Sequence, residues 1–299
     1  MSKAIVTGGG GFIGSNLVDK LVEIYDKVII IDNESADSNE QFYYNDKAEK
    51  HLLNVCDYKN TRPLYDGVDC VFHLAAESRI QPTLENPVLA ALTNTVGTCT
   101  VLQCAKEAGV KRVVYSSTSS GYGLKNKIPL NENMPDDCLN PYSVTKISGE
   151  KLCKMYTDLF DLETVVFRYF NVYGERHPVK GQYAPVIGIF IRQKNNGEKL
   201  TIVGDGRQTR DFTHVSDVVQ ANILASDISN KKPVGELINL GTGTNNSILE
   251  IAQMVGDKYD FIESRSGEAQ DTLADISKAK ELLGWEPTVK VEDWIKDNS

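Results

Sequence analysis

No two cysteines in this sequence fall at a Cys-x-x-Cys spacing, and the six present (Cys56, Cys70, Cys99, Cys104, Cys138, Cys153) lie mostly within apolar or helical patterns. They read as buried free thiols rather than as a disulfide framework. Histidine is scarce as well: His51, His73, His177 and His214 are scattered without metal-ligand spacing, and no metal is expected. An excess of basic charge is also missing, since 32 Lys+Arg stand against 41 Asp+Glu and leave a net charge of −9. Without a basic footprint to displace counterions, a general binder of nucleic acid or of acidic membranes is excluded, and only a local anion pocket stays open. The apolar stretches are short, such as Val28-Ile29-Ile30-Ile31, against the ~20 residues of a membrane span. Met1-Ser2-Lys3 runs directly into a strand pattern with neither a signal h-region nor a cleavage site, so a cytoplasmic protein is expected.

What is present is a chain of 299 residues, 41% apolar and 24% charged, enough for one large domain or two lobes with a core that needs no staples. Short β-branched runs at Ala4–Thr7, Val28–Ile31, Cys70–Leu74, Arg112–Ser116 and Glu163–Arg168 alternate with helical patterns. Ile13, Leu17, Leu21 and Ile24 share one helix face, and further helices fit Leu92–Ala108, ending at Gly109, and Tyr142 to about Leu159. Alternating βαβ units predict an α/β fold, a Rossmann-type doubly wound parallel sheet. After Tyr169 the rhythm changes to Gly- and polar-rich connections. We expect a dinucleotide-binding domain over 1–169, a return segment near 207–228, and a smaller α/β substrate-binding lobe over 170–299. The ligand crevice should lie at the carboxyl ends of the strands, between the lobes.

The first strand leads into Thr7-Gly8-Gly9-Gly10-Gly11-Phe12-Ile13-Gly14, where the first helix begins. Glycines at such a turn let the backbone approach a pyrophosphate held at the helix N-terminus. A lone Gly-rich match is weak, but this one has a strand before it, a helix after it and an acid, Asp32, 18 residues past Gly14 at the end of the second strand. Asp32 can accept hydrogen bonds from both hydroxyls of the adenosine ribose and would repel a 2′-phosphate, which favours NAD over NADP. Asp57 is expected to contact the adenine.

Tyr142 and Lys146, at i and i+4, lie one above the other on a helix face. A tyrosine acting as base at neutral pH starts about 3 pH units too high, roughly 4 kcal/mol. A neighbouring ammonium and a positively charged cofactor ring could supply that shift. The spacing proves little, because 13 Tyr and 23 Lys in 299 residues give about one such pair by chance, and Tyr43 with Lys47 is a decoy. Context separates them: Tyr142 lies 24 residues beyond Thr118, which follows the strand Arg112–Ser116, so both arrive at the carboxyl edge of the sheet.

With these residues assembled, the chain resembles an extended short-chain dehydrogenase/reductase, and within that superfamily the nucleotide-sugar epimerases of the UDP-galactose 4-epimerase type. The resemblance runs from Lys3 to about Pro287. Besides the turn and the Tyr142/Lys146 pair it rests on His73-Leu74-Ala75-Ala76, Asn94-Thr95-Val96-Gly97-Thr98, Arg168 to Gly174, Arg210-Asp211-Phe212-Thr213-His214-Val215 and Arg265-Ser266-Gly267-Glu268. It implies NAD contacts from Gly8, Gly11, Phe12, Ile13, Gly14, Asp32, Asn33, Leu74, Ala75, Ala76, Asn94, Tyr142, Lys146 and Tyr169. It implies that Asn171 bonds a phosphate oxygen, that Arg210 and Arg265 neutralise the nucleotide diphosphate, and that Glu268 accepts from the nucleotide ribose. Charge logic agrees, because an acidic protein holding a dianionic substrate needs locally placed arginines, and this one has nine.

The reaction so implied is epimerisation at C4 of a UDP-sugar. Tyr142 takes the 4-hydroxyl proton, Thr118 hydrogen-bonds that oxygen, and C4 is oxidised by NAD. The 4-keto sugar turns over and is reduced on its other face, so NAD is retained. The acid pair that follows the Thr in related 4,6-dehydratases is replaced by Ser119 and Ser120, and the Glu of UDP-glucuronate decarboxylases is absent too. Thr272 aligns with a residue that gates the sugar pocket, and its modest size implies acceptance of UDP-GlcNAc and UDP-GalNAc beside UDP-Glc and UDP-Gal. The alternatives are another enzyme of the same scaffold, such as a UDP-glucuronate 4-epimerase or a reductase of a nucleotide-linked sugar, and a non-catalytic NAD-binding sensor. The resemblance also implies a homodimer, formed through the helices Leu92–Ala108 and Tyr142–Leu159, unless Val101, Cys104, Leu152 and Met155 face the protein's own core. Because the sequence stops at Ser299, short of the longer terminal helix usual in the family, Trp285 and Trp294 mark where the packing is expected to depart.

Overall fold

The computed structural model of the chain describes residues 2–36, 39–179, 184–264 and 269–299. Eleven strands occur among them: β1 (Lys3–Thr7), β2 (Lys27–Asp32), β3 (Glu49–Leu52), β4 (Cys70–His73), β5 (Arg112–Thr118), β6 (Glu163–Tyr169), β7 (Leu200–Val203), β8 (Thr209–Arg210), β9 (Leu237–Leu240), β10 (Asn246–Ser247) and β11 (Tyr259–Ile262). Seven of them form one parallel sheet in the order β3-β2-β1-β4-β5-β6-β9. The strand order reverses between β1 and β4, which opens a crevice beyond their carboxyl ends.

Alternation along each strand sends successive side chains to opposite faces. Ala4 and Val6 join one buried cluster with Leu17, Leu21, Phe72 and Phe167, whereas Ile5 joins the other with Val71, Val101, Leu102 and Tyr115. Both faces are therefore covered by helices, and the strands read as continuous apolar runs. The five strand runs read from the sequence all occur. β3 and β9 were not among them. β3, with the sequence Glu-Lys-His-Leu, is the sheet's edge and has three exposed residues, so nothing selects apolar side chains there.

The chain crosses to the second lobe after β6 and then comes back. The helix Val215–Ser226 packs on the helix Phe12–Leu21, β9 completes the sheet, and the helix Ser277–Leu283 with Trp285 closes the same face. The return expected near 207–228 thus covers only part of the C-terminal chain in the first lobe. The second lobe has its own core around Ile187, Phe190, Ile202, Ile251 and Ile295, between the paired β7 and β11 and the helices Val186–Asn195, Ile248–Val255 and Val291–Asn298.

Both tryptophans are well housed, contrary to expectation. Trp285 is fully buried and its Nε1 donates to the Asp217 carbonyl at 2.9 Å. Trp294 Nε1 donates to Glu175 at 3.0 Å, and the ring lies edge-on to Tyr173. Asp217 also accepts from Thr288 N, Thr288 Oγ1 and Val289 N, so one buried carboxylate fastens the C-terminal segment to the first lobe.

The helical run Pro87–Ala108 is 22 residues long and contains an 18-residue window of mean hydropathy 1.3, long and apolar enough to cross a membrane by length and composition alone, which the short apolar stretches of the sequence did not suggest. Thr93, Asn94, Thr95, Thr98 and Thr100 interrupt it. One face is part of the core, where Val101 and Cys104 are buried, with Leu152 and Met155 of the helix Pro141–Phe160 packed against the same cluster. The outward residues are Val88, Leu92 and Val96, together with Val144.

Candidate active site

A cavity of about 860 Å3 runs from the glycine turn past the carboxyl ends of β1, β4 and β5 to the second lobe, at the upper end of the range for small-molecule sites. At its first end the glycines are enforced by space. Gly8 has φ +70°, and a Cβ there would stand 2.8 Å from Ala75 N; one on Gly14 would stand 2.1 Å from the Gly8 carbonyl. Gly11 caps the helix Phe12–Leu21 with no side-chain hydrogen bond. The positive end of that helix is therefore left for a ligand anion, at a wall formed by Gly8, Gly11, Phe12, Ile13 and Gly14.

Asp32 lies on the same wall, 7% exposed, at the end of β2. Its Oδ2 accepts from Gly10 N at 2.9 Å and its Oδ1 from Glu34 N at 2.8 Å. The turn and the acid are thus wired together, with Asn33 beside them. Leu74, Ala75 and Ala76 line the next stretch. An uncapped helix, a turn without room for side chains and a carboxylate at the strand end fit a dinucleotide with free ribose hydroxyls.

Behind this wall a polar chain ties β1 to β4. Thr7 Oγ1 accepts from Leu74 N and Ala75 N and donates to His73 Nδ1 at 2.7 Å. His73 Nε2 then donates to Thr98 Oγ1 at 2.9 Å, because the Thr98 hydroxyl proton goes to the Asn94 carbonyl at 2.6 Å. Burial drives the His73 pKa down to about 3, so the ring is neutral and its tautomer is set by this chain.

The catalytic candidates converge on the middle of the cavity. Thr118 ends β5, and Tyr142 and Lys146 sit in the first turns of the helix Pro141–Phe160; all three line the cavity. That helix starts sharply, because Asn140 Oδ1 accepts from Ser143 N at 2.9 Å, Ser143 Oγ accepts from Asn140 N, and Pro141 occupies N1. Burial pushes the Tyr142 phenol up, while a hydrogen bond with Thr118 and the charge of Arg79 pull it down. Arg79 is thus a cation near the phenol that the sequence did not suggest. Lys146 lies under the cavity with Nζ 4.3 Å from the Tyr115 ring centroid, and burial lowers its pKa to about 7 against the pull of Cys153 and Glu150.

Three expected site residues stand elsewhere. Asp57 does not line the cavity; it caps the short helix Tyr58–Thr61, accepting from Asn60 N at 3.2 Å. Asn94 is fully buried behind the wall, where its amide clamps Glu77 through both backbone groups (2.8 and 3.0 Å) and donates to Thr145 Oγ1 at 2.9 Å. It joins the turn after β4 to the catalytic helix. Thr272 is buried outside the lining, and its hydroxyl accepts from Asn171 Nδ2 and from Asp211 N, both at 3.3 Å. A side chain so committed is a support for Asn171.

Asn171 does line the cavity, with φ +30°. Both N–H groups of its side chain are used internally, toward Asp211 O at 2.9 Å and Thr272 Oγ1, so this amide would have to turn over to donate to a phosphate oxygen. Tyr169 lines the wall between Ser116 and Asn222, both of which bond its hydroxyl at 2.9 Å. Arg210 lines the far end, steadied by the carbonyls of Thr209 and Gln270. Arg265 and Glu268 lie outside the described residues.

Sequence reasoning missed Arg79 and Arg192, both on the cavity wall. The signal for Arg79 was its place, three residues past Ala76 at the carboxyl end of β4; Arg192 lies on an ordinary amphipathic helix and carried none. Also missed was the latch beneath the site: Arg168 Nε and Nη2 bond both oxygens of Glu150 at 2.8 Å, and Nη2 also reaches Asp136 at 2.7 Å. This ion pair fastens the catalytic helix to β6.

The comparisons agree with this geometry. Residues 4–241 match the family described as NAD dependent epimerase/dehydratase. A UDP-glucose 4-epimerase of Mycolicibacterium smegmatis is 34% identical over 98% of this chain and 96% of its own. The crystal structure of the Thermotoga maritima UDP-glucose 4-epimerase with UDP-glucose is 32% identical, with TM-score 0.92 and 99% and 97% of the two chains covered. A UDP-glucuronic acid 4-epimerase from Bacillus cereus, in complex with UDP-glucuronic acid and NAD, is 31% identical with TM-score 0.87 and covers 99% and 97%. With the sheet, the glycine turn and the Thr118/Tyr142/Lys146 group in place, the chain belongs to the NAD-dependent epimerase/dehydratase family.

Proposed function

We propose that this protein epimerises a UDP-hexose at C4. The observation that carries the reading is the meeting of Thr118, Tyr142 and Lys146 on one cavity wall, with Ser119 and Ser120 where a dehydratase would need acids. The chemistry that NAD supplies when bound is reversible two-electron oxidation of the sugar carbon, and the residues that would hold it are the Gly8–Gly14 turn, Asp32, Asn33, Leu74 to Ala76, Tyr169 and Lys146. Tyr142 takes the proton of the 4-hydroxyl and returns it after the sugar has turned. Thr118 donates to the Tyr142 phenolate before the transfer and to the sugar 4-oxygen once Tyr142 holds the proton. Lys146, on the same wall one helical turn from Tyr142, would hold the nicotinamide ribose of the cofactor. Arg210, with Arg265 and Arg192, neutralises the diphosphate.

Proton NMR of purified protein with UDP-glucose, UDP-GlcNAc and UDP-glucuronate in separate tubes, without added cofactor, tests this. Growth of a 4-epimer signal in any tube supports the reading. No turnover in any tube, by protein that carries NAD, overturns it.

The outward residues Val88, Leu92 and Val96 recur every four residues beside Val144, and they support a homodimer in which two copies cover this stripe. Light scattering of Leu92→Glu should then report a monomer. The six free thiols support a reducing compartment, the cytoplasm.

A further inference from the structure

The two arginines buried among the described residues are matched by carboxylates. Arg112 pairs with Glu163 and bonds three backbone carbonyls, and Arg168 pairs with Glu150 and Asp136. Arg79 differs. It lies half-buried on the cavity wall, its Nε, like Arg168 Nη1, is buried without a hydrogen-bond partner, and unlike Arg168 it has no described carboxylate paired with it. Leaving a buried guanidinium unpaired is costly, and the cost is recovered if the matching anion arrives with a ligand.

The position of Arg79 restricts what that anion can be. Arg79 stands in the turn Glu77-Ser78-Arg79, clamped by Asn94 to the catalytic helix beside Tyr142. Its charge acts on the Tyr142 phenol and on His177. It is therefore at the reacting end of the cavity. The diphosphates have other donors: the open N-terminus of the helix Phe12–Leu21 on one side, Arg210 and Arg192 on the other. What remains near Tyr142 is the hexose itself. Its hydroxyls are neutral, but a carboxylate at C6 is joined through C5 to the C4 carbon that Tyr142 addresses. Arg is suited to it, because the guanidinium fork matches a carboxylate.

We infer that Arg79 is the specificity-determining residue for the sugar and that the substrate is a nucleotide-linked hexuronate, read through its C6 carboxylate. The inference rests on the proposed C4 epimerisation for the placement of the sugar at Tyr142. It narrows the UDP-hexose of that reading to the charged class.

The test compares wild type, Arg79→Gln and Arg79→Lys on UDP-glucuronate and on UDP-glucose, by NMR turnover and by calorimetric binding. Wild type should favour UDP-glucuronate by at least about tenfold in kcat/KM. Arg79→Gln should raise its Kd by about 10- to 100-fold, corresponding to about 1.4–2.7 kcal/mol, and leave the Kd for UDP-glucose within about twofold, while kcat falls on both sugars because the Tyr142 phenol loses a nearby cation. Arg79→Lys should recover part of the binding. Equal losses in the binding of both sugars, no preference for the uronate, or loss of bound NAD with UDP-glucuronate binding unchanged would each overturn the inference. Turnover and binding separate the two claims: if neither sugar is turned over but UDP-glucuronate still binds tighter in an Arg79-dependent way, the anion reader stands and the epimerase reading falls. A melting temperature for Arg79→Gln at or above that of wild type confirms that a folded protein is being compared.

Discussion

The strand-edge wall of the cavity and the wall made by the C-terminal lobe differ in how their parts are gathered. The first takes Gly8 to Gly14, Asp32, Leu74 to Ala76 and Thr118 from the ends of adjacent parallel strands, each a strand followed by a short turn. Its polar groups are satisfied before any ligand arrives, as in the bonds of Asp32 to Gly10 and Glu34 and the Thr7–His73–Thr98 chain. The second takes Asn171 from the turn after β6, Arg192 from the helix Val186–Asn195 and Arg210 from β8, and steadies Arg210 by backbone carbonyls and Asn171 by Asp211 and Thr272. Chemistry that tolerates little displacement is built on the wired wall, whereas recognition is built on the gathered one. Tyr142 and Arg79 stand at their junction, held by the Asn140 cap and the Asn94 clamp.

If the wired wall carries the chemistry, the largest effect belongs to Tyr142→Phe. Turnover should fall by at least about 10³-fold, the loss expected for a general base, with bound NAD and circular dichroism unchanged. Variants of Arg210 with a comparable loss in kcat would break the distinction between the two walls.

Lys146→Met should cost about 10²-fold in turnover, and its stability has a worked sign. The folded protein holds Lys146 near pH 7 against an ordinary 10.5, so the cation is disfavoured by folding. The wild type is penalised below pH 7 and recovers as pH rises toward 10.5. In thermal melts the variant should be the more stable at pH 6, with the advantage shrinking by pH 10. An advantage that grows with pH would remove the buried-cation account.

Asn94→Ala sharpens the comparison from behind the wall. It leaves the Glu77 N–H and carbonyl without their partner, a cost of about 2 kcal/mol, and turnover should fall because the Glu77–Arg79 turn loosens. Denaturant titration beside NMR turnover checks both. The smallest effect is Asp57→Ala, which should cost about 1 kcal/mol of stability through the lost cap and leave NAD content unaltered. A drop in bound NAD would return Asp57 to the cofactor site.

The strand-edge wall was the more legible in the sequence, for the same reason that it is wired: its parts are contiguous strand–turn–helix segments, and both the Gly8–Gly14 turn and the Tyr142/Lys146 spacing are local patterns. The cap role of Asp57 was hidden because an acid ahead of a helical turn can be a cap as readily as a ligand. The clamp made by Asn94 was hidden because its partners Glu77 and Thr145 lie 17 and 51 residues away, and no spacing shows that. Thr272 depended on an alignment that says nothing of which way a hydroxyl points. Strand β3 escaped because an edge strand has no buried face to impose a pattern.

The sequence by itself determined the parallel sheet, the dinucleotide turn and the Thr118/Tyr142/Lys146 group, because periodicity and glycine placement are constraints between near neighbours. Only the tertiary structure decided which charges find partners. It gave Arg168 to Glu150 and Asp136, Arg112 to Glu163, and none of the described carboxylates to Arg79. Pairing of buried charge depends on burial and on contacts between distant segments, and these exist only once the chain has folded.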